Sequence, residues 1–435
     1  MREIITAIDI GTTKIVALAG ERDEKGRIRI LTKGTVPTPQ KSVKMGVVQN
    51  IEIVAKAIKE AVDKAESNSD IEFTSAFIGI AGHHIKSVHN NHSIFISSIE
   101  NLITTEDVDK MTEEIRGMSL EANEEILDVI PQNYAIDKEN GIEEPVGRFG
   151  KKLSGNFHII VGDTSSAKNI KRCVNLAEIE VNDLYLEPIA SSKAVLTEDE
   201  KEAGVALVDI GGGTTDLAIF YDGILRHTAV IPFGGDVITK DVKEAYQILH
   251  KHAEELKTDC GTALSEFAKK DSLAVIPGIS GRDSKEISLV ELSRVIQARM
   301  EEIINIINFE IINSGYRDKL AAGIALTGGG SLLEKLPQLM KFVTGLDVKL
   351  SKPPTYASSG GARVNSPKLS TAVGLVMLGF DNIDKAKNPT KKKKKRKEKK
   401  SKTGNGFGGL IENISEKVKQ KAINFFEDED TEIPE

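Results

Sequence analysis

Two segments of the chain, nearly 200 residues apart, each place an aspartate just before a short run of glycine and threonine. Glycine lets backbone N–H groups approach phosphate oxygens without a Cβ in the way, and threonine hydroxyls add donors. An acidic residue before each turn suits a water-coordinated Mg²⁺ held between two phosphate loops. We therefore predict two phosphate-binding turns, with the aspartates beside the metal and no direct protein ligand to it. The residues are Asp9, Gly11, Thr12, Thr13 and Lys14 in the first segment and Asp209, Gly211, Gly212, Gly213, Thr214 and Thr215 in the second.

A third glycine run follows the sequence IALT and precedes an apolar stretch, so it reads as a strand, a turn and a helix. Its glycines, Gly328, Gly329 and Gly330, could lie against a nucleoside at a helix start. A Walker P-loop, GxxxxGK[ST], does not occur in the sequence. One such hairpin alone is as well explained by the steric needs of a turn, but three glycine turns together favour a nucleotide site.

The elements that carry these turns repeat within the chain. ITAIDIGTTKIVALA (5–19) and VALVDIGGGTTDLAI (205–219) are both β-rich runs on either side of a glycine turn, which predicts two similar halves. Apolar periodicity predicts helices over 51–65, 239–256, 288–313 and 370–380. Mixed strands and helices indicate an α/β protein.

These motifs resemble the phosphate and adenosine motifs of the actin, Hsp70 and sugar-kinase superfamily. LEPIASSKAVL (186–196) is similar to the segment that links the two halves there, and Glu187 matches its catalytic glutamate. Further runs narrow the resemblance to the FtsA family. These are FIGIAGHHIKS (77–87), ILDVIPQNYAID (126–137), AEELKTDCGTA (253–263) and IQARMEEI (296–303).

The resemblance implies an actin-like two-lobed fold with duplicated ribonuclease-H-like cores, an inserted FtsA-type subdomain, and a C-terminal linker and amphipathic helix. The implied divisions are 1–82 with 163–200 for the first lobe, 83–162 for the inserted subdomain, 201–238 with 323–384 for the second-lobe core, and 239–322 for its outer part.

The same resemblance implies an ATP/ADP and Mg²⁺-binding adaptor with slow or no ATPase activity. Lys257 and Gly261 match residues near the nucleoside, and Arg299 and Glu302 match the surface that receives the C-terminal tail of FtsZ. It further implies self-association into a homopolymer, contact with downstream division proteins, and a peripheral position on the cytoplasmic face of the cell membrane at the division septum.

The C-terminal region differs from the rest in charge. Formal net charge is −7, yet 391–402 holds ten Lys or Arg residues and one Glu. We interpret 385–406 as a basic linker, 407–426 as a membrane-targeting amphipathic helix and 427–435 as an acidic tail. An anionic membrane surface is the expected partner, and nucleic acid is not, because the lysine run lacks interleaved aromatic residues. The membrane-facing residues are Phe407, Leu410, Ile411, Ile414, Val418, Phe425 and Phe426.

Alternatives of other classes remain open at this point. A small-metabolite kinase of the same superfamily has the same phosphate turns but no use for a terminal amphipathic helix. Another bacterial actin homologue is also compatible, whereas an Hsp70-like chaperone needs more chain after the nucleotide core. Two distant cysteines exclude a disulfide framework and suit a reducing compartment.

Overall fold

The computed structural model describes residues 3–98, 100–278 and 283–387. Two five-stranded sheets, a four-stranded sheet and their covering helices make up this part of the chain. No helix within these residues is long and apolar enough to cross a membrane.

The first sheet has the order β11-β6-β1-β2-β3. Strands β1, β2 and β3 form an antiparallel meander, and β6 and β11 continue the sheet in parallel with β1. Strands β1 and β2 are buried on both faces, as expected for a central hairpin between helical layers. The bounds are β1 Ile4–Ile10, β2 Lys14–Arg22, β3 Ile28–Pro37, β6 Ser75–Ile80 and β11 Glu180–Leu186, with the small β4 Val43–Lys44 and β5 Val47–Val48 pair beside them.

The second sheet repeats this plan, with the order β14-β13-β12-β17-β18. Again three strands form an antiparallel meander, and the other two run parallel to its first strand. Since both order and direction recur, the duplication predicted from the two hairpins is confirmed. The bounds are β12 Val205–Ile210, β13 Thr215–Tyr221, β14 Ile224–Ile231, β17 Ile324–Thr327 and β18 Val348–Leu350.

The inserted subdomain is a sheet of order β7-β10-β8-β9 with a helix packed on one face. It is built between β6 and the helix that follows β10, where the chain leaves and rejoins the first lobe. The helix begins with a capping box at Thr104 and Asp107, which fixes its first turn. The bounds are β7 Lys86–Phe95, α2 Thr105–Arg116, β8 Glu124–Ile136, β9 Glu139–Ile142 and β10 Lys152–Asp163.

The first and third predicted helices form nearly as expected, whereas the second is divided and the fourth, predicted over 370–380, runs to Lys387. Asn50 caps the first helix by accepting the Ile53 N–H, and the long helix begins after Ser288, as the periodicity indicated. The single helix predicted over 239–256 is wrong, because Gln247 adopts a left-handed conformation (φ 49°) and divides the region into two helices. The bounds are α1 Ile51–Glu66, α3 Thr164–Leu176, α4 Glu187–Val195, α5 Glu198–Ala203, α6 Gly235–Tyr246, α7 His250–Cys260, α8 Leu289–Asn313, α9 Leu336–Thr344 and α10 Ser370–Lys387, with the ribbon β15 Leu273–Ile276 and β16 Lys285–Ser288 preceding α8.

Candidate nucleotide site

The two glycine–threonine turns close in the same way and face each other. The Gly11 N–H donates to the Lys14 carbonyl at 3.0 Å, and the Gly211 N–H donates to the Thr214 carbonyl at 2.9 Å. A Cβ on Gly212 would lie 2.2 Å from Cγ2 of Thr13. The turns therefore touch, and only glycine fits at this point of contact.

The third glycine turn packs against the base of the second. Gly328 has φ +86°, and a Cβ there would lie 2.3 Å from Oδ1 of Asp209. A Cβ on Gly330 would lie 2.4 Å from Cγ2 of Ile210, whereas at Gly329 the nearest atom, of Lys368, is 3.8 Å away. Two of the three glycines are thus required by close packing, and Gly329 keeps an open face towards the cleft.

These turns border one cavity of about 610 Å³. It brings together all the sequence-predicted phosphate, metal, catalytic and nucleoside residues except Thr215 and Gly261. Thr215 is buried and donates to the Phe233 carbonyl at 2.8 Å. Gly261 lets the end of α7 pack closely on α8, because a Cβ there would lie 2.5 Å from Cδ1 of Ile296. The lining includes Asp9, Gly11, Thr12, Thr13, Lys14, Glu187, Asp209, Gly211, Gly212, Gly213, Thr214, Asp216, Asp236, Lys257, Thr258, Asp259, Met300, Gly328, Gly329, Gly330, Lys368 and Thr371.

Four carboxyl groups meet at the phosphate end of this cavity. Burial, reinforced by the nearby Asp209, raises the pKa of Asp9 to about 6 despite the opposing charge of Lys14. Burial and Asp209 likewise raise the pKa of Asp216 to about 8, and burial with Asp9 raises the pKa of Glu187 well above its usual range. Groups crowded in this way favour a bound cation.

One oxygen among these carboxyls is open to a ligand. Oδ1 of Asp216 is buried and has no hydrogen-bond partner among the described residues. An unpaired, buried carboxyl oxygen of this kind fits a cation or a water bound to one.

Lys257 lines the cavity beside the second phosphate turn. Its Nζ donates to the Gly235 carbonyl at 3.0 Å and to Thr239 Oγ1 at 2.8 Å, and it forms a 2.6 Å ion pair with Glu254. The Gly235 N–H in turn donates to the Gly211 carbonyl of the second turn at 2.9 Å. Polar groups in this part of the cavity wall suit the hydroxyls of a ribose.

The lining residues that the sequence reasoning missed include Asp216, Asp236 and Lys368. Asp216 was detectable, because it closes the DIGGGTTD run and pairs with Asp209 across the hairpin. Asp236 and Lys368 have no comparable signal in the sequence. Asp236 lines the cavity because it lies on α6, and Lys368 lines it because it lies in the segment just before α10.

Arg299 and Glu302 lie on α8 and do not line the cavity. Nη1 of Arg299 is 2.6 Å from Oε2 of Glu302, and Nη2 donates to Oδ1 of Asp241 at 3.1 Å. The hydrogen bond to Asp241 is the main interaction that raises the pKa of the Arg299 guanidinium. Residues 385–387, predicted as the start of the linker, belong to α10 instead. The rest of the predicted linker, the amphipathic helix and the acidic tail lie outside the described residues.

Comparison with known proteins agrees with this geometry. A family described as "Cell division protein FtsA" matches residues 206–374, and one described as "SHS2 domain inserted in FTSA" matches residues 82–161. The cell division protein FtsA of Pseudomonas aeruginosa is 38% identical over 379 residues, covering 87% of this chain and 89% of that protein. That of Escherichia coli K12 is 35% identical over 388 residues, covering 88% and 91%.

Two solved structures share the fold at low identity. One belongs to a PilM–PilN type IV pilus biogenesis complex, with a TM-score of 0.61, 15% identity, and coverage of 87% of this chain and 99% of that chain. The other is MreB 5 of Spiroplasma citri bound to AMPPNP, with a TM-score of 0.54, 14% identity, and coverage of 89% and 99%. These likenesses show an actin-like fold.

Proposed function

The chain belongs to the cell division protein FtsA family, and from that premise we propose that it is an ATP-binding adaptor that attaches FtsZ polymers to the cytoplasmic membrane. In this role the protein binds Mg²⁺-ATP or ADP between its lobes. Hydrolysis is slow or absent, because an adaptor uses the nucleotide to select a conformation. The metabolite-kinase alternative is not favoured, since the curated relatives compared above are cell division proteins.

The contact between the two phosphate turns is the observation that carries nucleotide binding. Residues of both turns line one cavity together with Asp9 and Asp209. When bound, Mg²⁺ would neutralise the phosphates of the nucleotide. Asp9 and Asp209 would hold its water shell, Lys14 would meet a phosphate, and Glu187 would orient a water, since all four residues line the cavity.

Calorimetry tests this assignment. Wild-type protein is expected to bind ATP more tightly with Mg²⁺ than with EDTA. Asp209→Asn is expected to lose that Mg²⁺-dependent gain, whereas Asp347→Asn is expected to bind as the wild type does, because Asp347 is exposed, pairs with Lys341 and does not line the cavity. Equal Mg²⁺ dependence in all three proteins would refute the site.

The adaptor role adds three partners, proposed from the family and from sequence. The FtsZ tail binds the outer part of the second lobe near Arg299 and Glu302. Charged groups of the peptide can pair with these two side chains in place of the ion pair that they form with each other. The protein associates head to tail with itself, since such contacts make open filaments. Residues 407–426 bind anionic lipid at the division septum, where downstream division proteins assemble.

Electron microscopy on a lipid monolayer tests self-association. We expect filaments one or more subunits wide in the presence of ATP. Single particles at every protein concentration, from a sample that still binds ATP, would contradict the polymer while leaving the nucleotide site intact.

A further inference from the structure

Helices α4 and α10 cross with their backbones in contact. A Cβ on Gly374 of α10 would lie 1.8 Å from the carbonyl oxygen of Ala190 on α4. Helix α4 contacts β6 and β11 of the first sheet and β12 and β13 of the second. Residues near this crossing are therefore placed between the two lobes.

Two hydroxyls at the crossing reach the carboxyl group of the second phosphate turn. Ser191 Oγ donates to Asp209 Oδ2 at 2.6 Å, and Thr371 Oγ1 lies 2.9 Å from Ser191 Oγ and 3.4 Å from the same carboxyl oxygen. Ser191 is completely buried. Three elements, α4, α10 and β12, thus meet at one oxygen atom.

The other oxygen of this carboxyl group is confined as well. Oδ1 of Asp209 lies against Gly328, where a Cβ would come within 2.3 Å. Tilting the carboxyl plane away from this orientation would break the Ser191 bond to the other oxygen. The carboxyl plane is consequently fixed from both sides, with Asp209 and Gly328 both at the cavity wall.

We propose that Ser191 and Thr371 are positioning residues that orient Asp209 towards the hydrated cation of the bound nucleotide. The proposal rests on the Mg²⁺-nucleotide function put forward above and deepens it. Ser191 and Thr371 link Asp209 to α4 and α10. A shift of Asp209 on cation binding would therefore also shift these two helices, which lie between the lobes. Ser191 carries most of the effect because its bond is the shorter of the two.

The neighbouring residue supplies a matched control. Ser192 is also a buried serine on α4, but its Oγ donates to the carbonyl of Ile189 at 2.7 Å, within its own helix. Ser192→Ala therefore removes the same atom from the same helix without touching Asp209. Any difference from Ser191→Ala reports the contact with the carboxyl group.

The experiment measures ATP affinity by calorimetry with Mg²⁺ and with EDTA for the full chain, Ser191→Ala and Ser192→Ala. For Ser191→Ala we expect the Mg²⁺-dependent gain in affinity to fall by about ten- to a hundredfold, the loss typical of one hydrogen bond to a charged group, with the EDTA affinity unchanged. Ser192→Ala is expected to keep the full gain. Thermal unfolding of the ligand-free proteins shows whether each variant folds.

A second pair keeps the proposal testable if Ser191→Ala does not fold. Thr371→Ser retains the hydroxyl and is expected to keep the Mg²⁺-dependent gain in ATP affinity. Thr371→Val removes the hydroxyl, and its gain is expected to be smaller by about twofold or more. Equal gains in the Ser191 and Ser192 variants, or parallel losses with Mg²⁺ and EDTA, would overturn the proposal. No Mg²⁺-dependent gain in the wild type would overturn the proposed function first, and this inference with it.

Discussion

Gln132 of the inserted subdomain donates a hydrogen bond from Nε2 to the carbonyl oxygen of Leu225 in the second lobe, at 2.9 Å. The contact is reciprocal, because Nη1 of Arg226 donates to the Gln132 carbonyl at 3.1 Å. Leu225 and Arg226 belong to β14, which pairs with β13, the strand that carries Asp216. The subdomain is inserted in the first lobe, and these hydrogen bonds join it to the second.

Replacing Gln132 by leucine is expected to lower the free energy of unfolding by about 1–3 kcal/mol, because the buried Leu225 carbonyl loses its donor. Urea denaturation gives this value. Gln49→Ala is the control, since Gln49 is exposed and is expected to change stability by less than about 0.5 kcal/mol. Equal stability of the two variants would show that water replaces the lost donor.

The histidine at the same junction makes a prediction about pH. His158 is fully buried, and burial together with His89 and His227 lowers its pKa to about 4. Ser87 and Thr228 lie beside its Nε2. An unfolded histidine has a pKa near 6.5, so between about pH 6.5 and pH 4 the unfolded state binds a proton that the folded state does not. Stability is therefore expected to fall as pH falls through this range.

Between pH 6.5 and pH 4, His158→Gln is expected to lose about 3 kcal/mol less of its free energy of unfolding than the wild type does. Urea denaturation at a series of pH values measures the change. The neighbouring His227, which is 3.5 Å from Glu310 of α8, and His89 remain in the variant, so part of the dependence persists. The exposed His83 provides the control, and an identical acid dependence in His158→Gln and His83→Gln would exclude His158 as its source.

Sequence reasoning succeeded where local chemistry dictates structure. The alternation of apolar residues and the glycine turns after Asp9 and Asp209 define both central hairpins, because a tight turn between buried strands admits few other residues. It failed where structure depends on distant neighbours. Ser191 and Thr371 are 180 residues apart, and nothing in either local sequence indicates that they share a carboxyl oxygen. The left-handed Gln247 was also missed, since glutamine is not a usual helix-ending residue.

The contact between the phosphate turns predicts that a second substitution can restore the ATP affinity that a first one removes. Gly212→Ala is expected to weaken ATP binding by about tenfold or more, because its Cβ would lie 2.2 Å from Cγ2 of Thr13 and force the turns apart. Thr13→Ser removes Cγ2 and keeps the hydroxyl. The double variant is expected to recover most of the affinity, since the nearest remaining atom, Oδ1 of Asp236, is 3.3 Å away.

Calorimetry of both single variants and the double variant completes this thermodynamic cycle. Thr13→Ser alone is the control and is expected to bind nearly as the wild type does. A double variant as weak as Gly212→Ala would mean that the turn fails for a reason other than its contact with Thr13.

Two ion pairs on α8 allow the proposed FtsZ contact to be tested against a matched pair. Exchanging the charges of Arg299 and Glu302 is expected to weaken binding of an FtsZ tail peptide by about tenfold or more, or at least about 1.4 kcal/mol. Arg294 and Glu291 form a pair with the same spacing and a 2.6 Å contact on the same helix. Exchanging their charges is expected to leave binding unchanged. Fluorescence anisotropy measures both, and equal affinities would reject Arg299 and Glu302 as the contact.

Residues 407–426 carry the final prediction, which concerns membrane attachment. Their apolar positions recur at helical spacing, so a helix there would present one face that can enter the headgroup boundary. Lysines of 391–402 add about 1 kcal/mol for each one close to an anionic surface, whereas the acidic 427–435 opposes binding. One such helix binds only weakly, and polymerisation couples many of them.

Deleting 407–435 is therefore expected to release the protein from anionic liposomes at every salt concentration, because the apolar stripe is lost. Replacing the lysines of 391–402 with glutamine is expected to weaken co-sedimentation mainly at low salt, since only the screened charge attraction is lost. The two variants separate apolar insertion from surface charge, and ATP affinity is expected to be unchanged in both. If the deleted protein pelleted as the full chain does, the anchor would have to lie elsewhere in the molecule, and the stripe would be better explained by docking on the protein itself.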